Sequence, residues 1–100
     1  MAKKKTKTTL FDSAEYLDSR EAINAYMEEA LGTQDPAFIA KALGTIARAR
    51  GMAQIAKGAG LSRESLYKAL SSEGNPEFGT VIRVMHALGL KFSITASQVR

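Results

Sequence analysis

MAQIAKGAGLSRESLYKALS, residues 52–71, carries two short apolar stripes separated by glycine. Ile55, Ala56 and Ala59 fall on one side of a first short helix, and Gly60 supplies a residue that takes φ > 0 without a Cβ clash. Leu61 follows as an apolar plug. Ser62 is a good N-cap for a second helix, whose inner face is Leu66, Ala69 and Leu70. Arg63, Ser65, Tyr67 and Lys68 remain outward with Glu64, and can reach phosphates and base edges. This is the spacing of a helix-turn-helix, in which the second helix lies in the major groove of DNA.

Outward from that motif the chain reads as further helices. Residues 1–9 have no apolar periodicity and are expected to be a disordered basic tail. Asp12 with Glu15, and Asp18 with Glu21, have capping-box spacing, which predicts a turn of helix at Ala14–Leu17 and a longer helix over Ser19–Leu31 ended by Gly32. Asp35 and Pro36 open the next helix as N-cap and first-turn residue. Its expected buried stripe is Phe38, Ile39, Ala42, Leu43, Ile46 and Ala47, with Arg48 and Arg50 favourably placed at the C-terminal dipole before Gly51. Beyond the motif, Gly74-Asn75-Pro76 marks a loop, and a last helix over Phe78–Leu88 has Phe78, Val81, Ile82, Met85 and Leu88 as its inner face. Leu90-Lys91-Phe92-Ser93-Ile94 alternates apolar and polar residues as a short strand would. The expected fold class is all-α, a compact helical bundle with a helix-turn-helix and a short C-terminal strand. Its divisions are a tail (1–9), an acidic helical extension (10–33), the helix-turn-helix domain (34–94) and a C-terminal tail (95–100).

Charge is distributed in blocks. The 100 residues carry a net +4, but residues 1–9 hold four Lys and no acid, and residues 10–35 hold seven acids against Arg20 alone. Over residues 41–71 the sign reverses: Lys41, Arg48, Arg50, Lys57, Arg63 and Lys68 oppose only Glu64. The motif thus lies in the basic block, where neutralising phosphates and releasing counterions supplies non-specific affinity for DNA. The acidic block suits a basic protein partner instead. There is no Cys, so neither a disulfide nor a thiolate metal site forms, and the lone His86 makes no zinc cluster. Gly58-Ala59-Gly60 begins a G-x-G pattern, but position 63 is Arg and no buried strand precedes it. With no G-K-[ST], nucleophile elbow or H-E-x-x-H, the expectation is a binding protein rather than an enzyme, without metal or cofactor. No apolar run approaches the roughly 20 residues of a membrane span, and the basic start MAKKKTKTT leads into acidic sequence, so a cytoplasmic protein is expected.

The stretch ALGTIARARGMAQIAKGAGLSRESLYKALSSEGNPEFGTVIRVMHALGLKFSI, residues 42–94, resembles the bacterial addiction-module antidote family, lambda-repressor-like helix-turn-helix antitoxins related to the HigA type. AEYLDSREAINAYMEEAL, residues 14–31, resembles that family's N-terminal region. The resemblance implies an antitoxin that neutralises a toxin of the RelE/HigB-like ribonuclease class and represses their shared operon. Where many lambda-repressor-like relatives place a phosphate-clamping glutamine at the start of the first motif helix, this chain has Met52, with Gln54 two residues on. Gln54 and Lys57 are then the candidates for phosphate positioning, and Ser62, Arg63, Ser65, Tyr67 and Lys68 for the DNA-facing surface. Arg63 is the candidate for a bidentate guanine contact. Tyr67 either reaches a phosphate or thymine methyl or packs at the edge of the helix pair, and Glu64 favours the helix N-terminus through the dipole.

Tyr16, Leu17, Tyr26 and Met27 are the candidate apolar anchors for the toxin; the alternative is that they are core and the acids a solvated face. A homodimer on a palindromic operator is expected, its recognition helices about 34 Å apart. The lone C-terminal strand either pairs with a second copy or docks as an apolar tail. Two other readings remain at this point: a prophage-type regulator with no toxin, and a protein-interaction adaptor that no longer binds DNA.

Overall fold

Three of the helices in the computed structural model, which describes residues 19–71 and 73–96, begin on a side chain that satisfies an otherwise unpaired first-turn amide. For α1 (Arg20–Gly32) it is Ser19, whose Oγ accepts the Ala22 N–H at 3.1 Å. For α2 (Pro36–Arg50) it is Asp35, whose Oδ1 accepts the Ala37 N–H at 3.1 Å, with Pro36 in the first turn. Two seven-residue helices follow, α3 (Met52–Gly58) and α4 (Arg63–Ala69), and then α5 (Phe78–Ala87). Ser62 caps α4 by accepting the Ser65 N–H at 3.0 Å. Among the described residues the chain is all-helical, with five helices and no strand.

Local chemistry departs from expectation at the first turn. Ser19 caps α1, so the helix starts one residue later than the capping-box spacing suggests; Asp18 and the helical turn expected at Ala14–Leu17 lie outside the described residues. Gly32 is the last residue of α1, and Thr33 closes the helix. Thr33 Oγ1 donates to the Ala30 carbonyl at 2.7 Å and accepts the Asp35 N–H at 3.1 Å, while the positive φ of 56° falls on Gln34. A hydroxyl that bonds in both directions performs the reversal assigned to glycine.

α3 is the hub. It packs on α4 and α5 and on α2, and α2 in turn carries α1. Ile23, Met27 and Ala30 of α1 join Leu43, Ile46, Ile55, Leu66, Val84 and Leu88 in one apolar cluster, so the acidic N-terminal helix shares its core with the rest of the chain. Leu43, Ile46, Leu66 and Val84 are its largest fully enclosed side chains, each worth about 1.5–3 kcal/mol of burial. Helix α2 also approaches the end of α4 closely: a Cβ on Gly44 would lie 2.9 Å from the Leu70 carbonyl oxygen.

The expected buried stripes need correction at three positions. Phe38 is 46% exposed, Phe78 72% and Ile82 37%, while Val84, absent from the expected face, is fully buried. The true inner face of α5 is Val81, Val84, Met85 and Leu88, an i, i+3, i+4, i+7 set; Phe78 and Ile82 lie to one side of it. Burial of Val84, Met85 and Leu88 sets that rotation, and Arg83 Nε donates to the Ala59 carbonyl at 3.1 Å. The strand expected over Leu90–Ile94 is not formed, because one strand has no ladder partner among the described residues; instead Phe92 stacks on Phe78, ring centroids 6.1 Å apart. No described helix is long and apolar enough to cross a membrane.

Candidate nucleic-acid interface

The turn between α3 and α4 sets the exposure of every candidate side chain around it. Ile55, Ala56 and Ala59 are buried, Gly60 adopts φ 73°, and the Leu61 N–H reaches back to the Ala56 carbonyl at 2.8 Å. Leu66 and Leu70 then seat α4 on the core. Because these two leucines occupy one side of a short helix, Arg63, Glu64, Ser65, Tyr67 and Lys68 are all exposed. Ser62 is exposed too, but its hydroxyl is engaged: it accepts the Ser65 N–H and donates to Ser65 Oγ at 2.9 Å.

Three shallow hollows of about 480–530 Å³ surround α4. One is lined by Arg48, Gly51, Met52, Ala53, Arg63 and Tyr67, where the end of α2, the start of α3 and the first turn of α4 meet. It places two guanidinium groups from separate helices beside the same opening. Arg48 is steadied by donating from Nη2 to Thr45 Oγ1 at 3.3 Å, and Arg63 lies over the Tyr67 ring, 5.9 Å from its centroid. Guanidinium pairs of this kind suit phosphate, whose oxygens accept in the plane of the fork. Ser65 and Lys68 line the other two hollows, one with Glu64 and Tyr67 and the other with Ser71, Glu73 and Asn75.

Of the residues read from sequence, the structure therefore gathers Arg63, Ser65, Tyr67 and Lys68 on one helix. Gln54 is exposed at the start of α3, its amide oxygen 3.9 Å from where a Gly51 Cβ would be. Lys57, exposed in the last turn of α3, lines none of the three hollows. Arg48 is the addition. Sequence reasoning placed it at a helix dipole, and only the crossing of α2 with α4 puts it beside Arg63.

The second candidate set divides differently. Tyr16 and Leu17 lie outside the described residues. Met27 is 4% exposed and belongs to the core, which corrects its reading as an outward anchor, and Tyr26 is half-buried against that core. Glu21, Glu28 and Glu29 are the exposed acids of α1, and Arg20 and Leu31 are exposed beside them. Among the described residues no three His, Cys, Asp or Glu side chains gather as metal ligands.

Arg63 and Lys68 are thus exposed on α4, and Glu21, Glu28 and Glu29 on α1. In comparison with known sequences, residues 7–96 match the family model described as "Probable addiction module antidote protein", and the chain belongs to that family. An uncharacterized protein of Haemophilus influenzae (strain Rd) is 54% identical over 88 residues, covering 88% of this chain and 91% of that relative. No solved structure matches the chain.

Proposed function

We propose that this protein is the antitoxin of a type II toxin–antitoxin module, binding and neutralising a RelE/HigB-like toxin and, as a homodimer, repressing its own operon through a helix-turn-helix formed by α3 and α4. The observation that carries the DNA half is the juxtaposition of Arg48 and Arg63 beside an outward helix bearing Ser65, Tyr67 and Lys68. Arg48, Gln54 and Lys57 hold phosphates, and Arg63 reads a base edge from the start of α4. Ser62 contributes through the cap that orients that first turn. The toxin half rests on membership of the antidote family and on the exposed acids of α1, which complement a basic partner.

Three measurements test this reading. Co-expression with the product of the adjacent reading frame is expected to rescue growth and yield a stable complex; no toxicity and no complex would refute the toxin partner. Gel-shift titration of the upstream DNA is expected to show affinity falling steeply with salt, since several phosphate contacts are lost together. Charge reversal in the double variant Glu28→Lys/Glu29→Lys is expected to weaken toxin capture at least about tenfold without touching the core. Capture unchanged by it would move the contact away from α1.

A further inference from the structure

The segment from Leu90 to Ile94 is an unfinished element. It alternates apolar and polar residues, yet it forms no strand in the single chain. Leu90 packs against the core, but the two later apolar members are left in solvent: Phe92 is 42% and Ile94 94% exposed. Beside them, Phe78 at 72% and Ile82 at 37% stand one helical turn apart on α5, and the Phe78–Phe92 stack joins segment and helix into one patch. Four of the large apolar side chains that remain exposed among the described residues thus lie on α5 and the segment that follows it. Such a surface signals association.

We infer that this surface is completed by a second copy of the same chain, through antiparallel pairing of Leu90–Ile94 with itself across a two-fold axis at Phe92. The side-chain sequence selects that occupant. With Phe92 opposite Phe92, Leu90 faces Ile94 and Lys91 faces Ser93, in both directions at once. All the apolar residues then share one face of the ribbon, and no lysine opposes a lysine. A one-residue shift would set apolar against polar residues, Leu90 against Ser93 and Phe92 against Lys91 or Lys91 against Ile94 and Phe92 against Ser93, and a two-residue shift toward Lys91 would oppose Lys91 to itself. The Leu90 N–H already donates to the Met85 carbonyl at 2.8 Å; the pairing gives partners to amides and carbonyls of the residues that follow, and the contact is isologous, as a closed dimer requires. Phe78 and Ile82 lie under the apolar face of the ribbon.

This inference deepens the homodimer part of the reading above, and its test uses neither DNA nor toxin. The chain contains no cysteine, so single introduced thiols report unambiguously. Full-length Lys91→Cys mixed with full-length Ser93→Cys under mild oxidant is expected to give a disulfide-linked heterodimer, about tenfold faster than either variant alone, because directly opposed strand positions meet disulfide geometry and diagonal ones do not. Phe92→Asp is expected to sediment as a monomer at concentrations where the parent chain is dimeric, with an unchanged helical circular dichroism spectrum. A monomeric parent chain, a dimer unaffected by Phe92→Asp, or equal cross-linking in the mixed and separate samples would each overturn the inference. If the cross-linking pattern appears while operator binding fails, the dimer surface stands and the repressor reading falls; the reverse result spares the repressor reading alone.

Discussion

Helices α2 and α4 are anchored in opposite ways. Seven of the fifteen residues of α2 are buried, and it contacts helices on both sides; α4 has seven residues and buries only Leu66, with Leu70 beyond its end. One is the framework and the other a thin display held by two leucines. The difference teaches that the outward residues of α4 are free to vary without disturbing the fold, whereas nearly any change on the inner arc of α2 is felt throughout the core.

The contrast can be broken most severely at Ile46. Truncation by Ile46→Ala is expected to lower stability by about 2–5 kcal/mol in urea unfolding, because the side chain is wholly enclosed and its neighbours come from several helices. At the seam between the two regions, Gly44→Ala gains helix propensity but drives a Cβ to 2.9 Å from the Leu70 carbonyl. The expected net loss is about 1–2 kcal/mol, since the obstacle is backbone and cannot rotate away. A stabilised Gly44→Ala would show that α4 rides more loosely on α2 than its contacts imply. The smallest stability effect belongs to Arg63→Ala, an exposed position: within about 0.5 kcal/mol on unfolding, yet operator affinity is expected to fall by about ten- to a hundredfold at fixed salt if the side chain reads a base. Equal binding by this variant would return Arg63 to the solvated surface.

The legible parts of the chain were those governed by neighbours in sequence. Asp35-Pro36, Ser62 and Gly60 act within a turn of their own position, so their caps and the sharp bend between α3 and α4 follow from side-chain reach and backbone sterics. Outwardness of Arg63, Ser65, Tyr67 and Lys68 was legible for the same reason: once Leu66 and Leu70 are inward, helical geometry orients the remainder. Arg48 was not legible as a partner of Arg63, because no local rule relates two residues on separate helices. Phe38, Phe78 and Ile82 show the same limit. All are apolar at helical spacing, and periodicity alone admits each to an inner face.

What the sequence by itself determined is the series of helices, their caps and the alternation at Leu90–Ile94, since these depend on rotamers, hydrogen bonds and dihedral angles within a few residues. Only the tertiary structure decided which arc of each helix is enclosed. Helical periodicity sets the angles between side chains but leaves the helix free to rotate about its axis, and that rotation is chosen by packing: here by α1 against α2, and by α5 against α3, which encloses Val84 and leaves Phe78 and Ile82 in solvent.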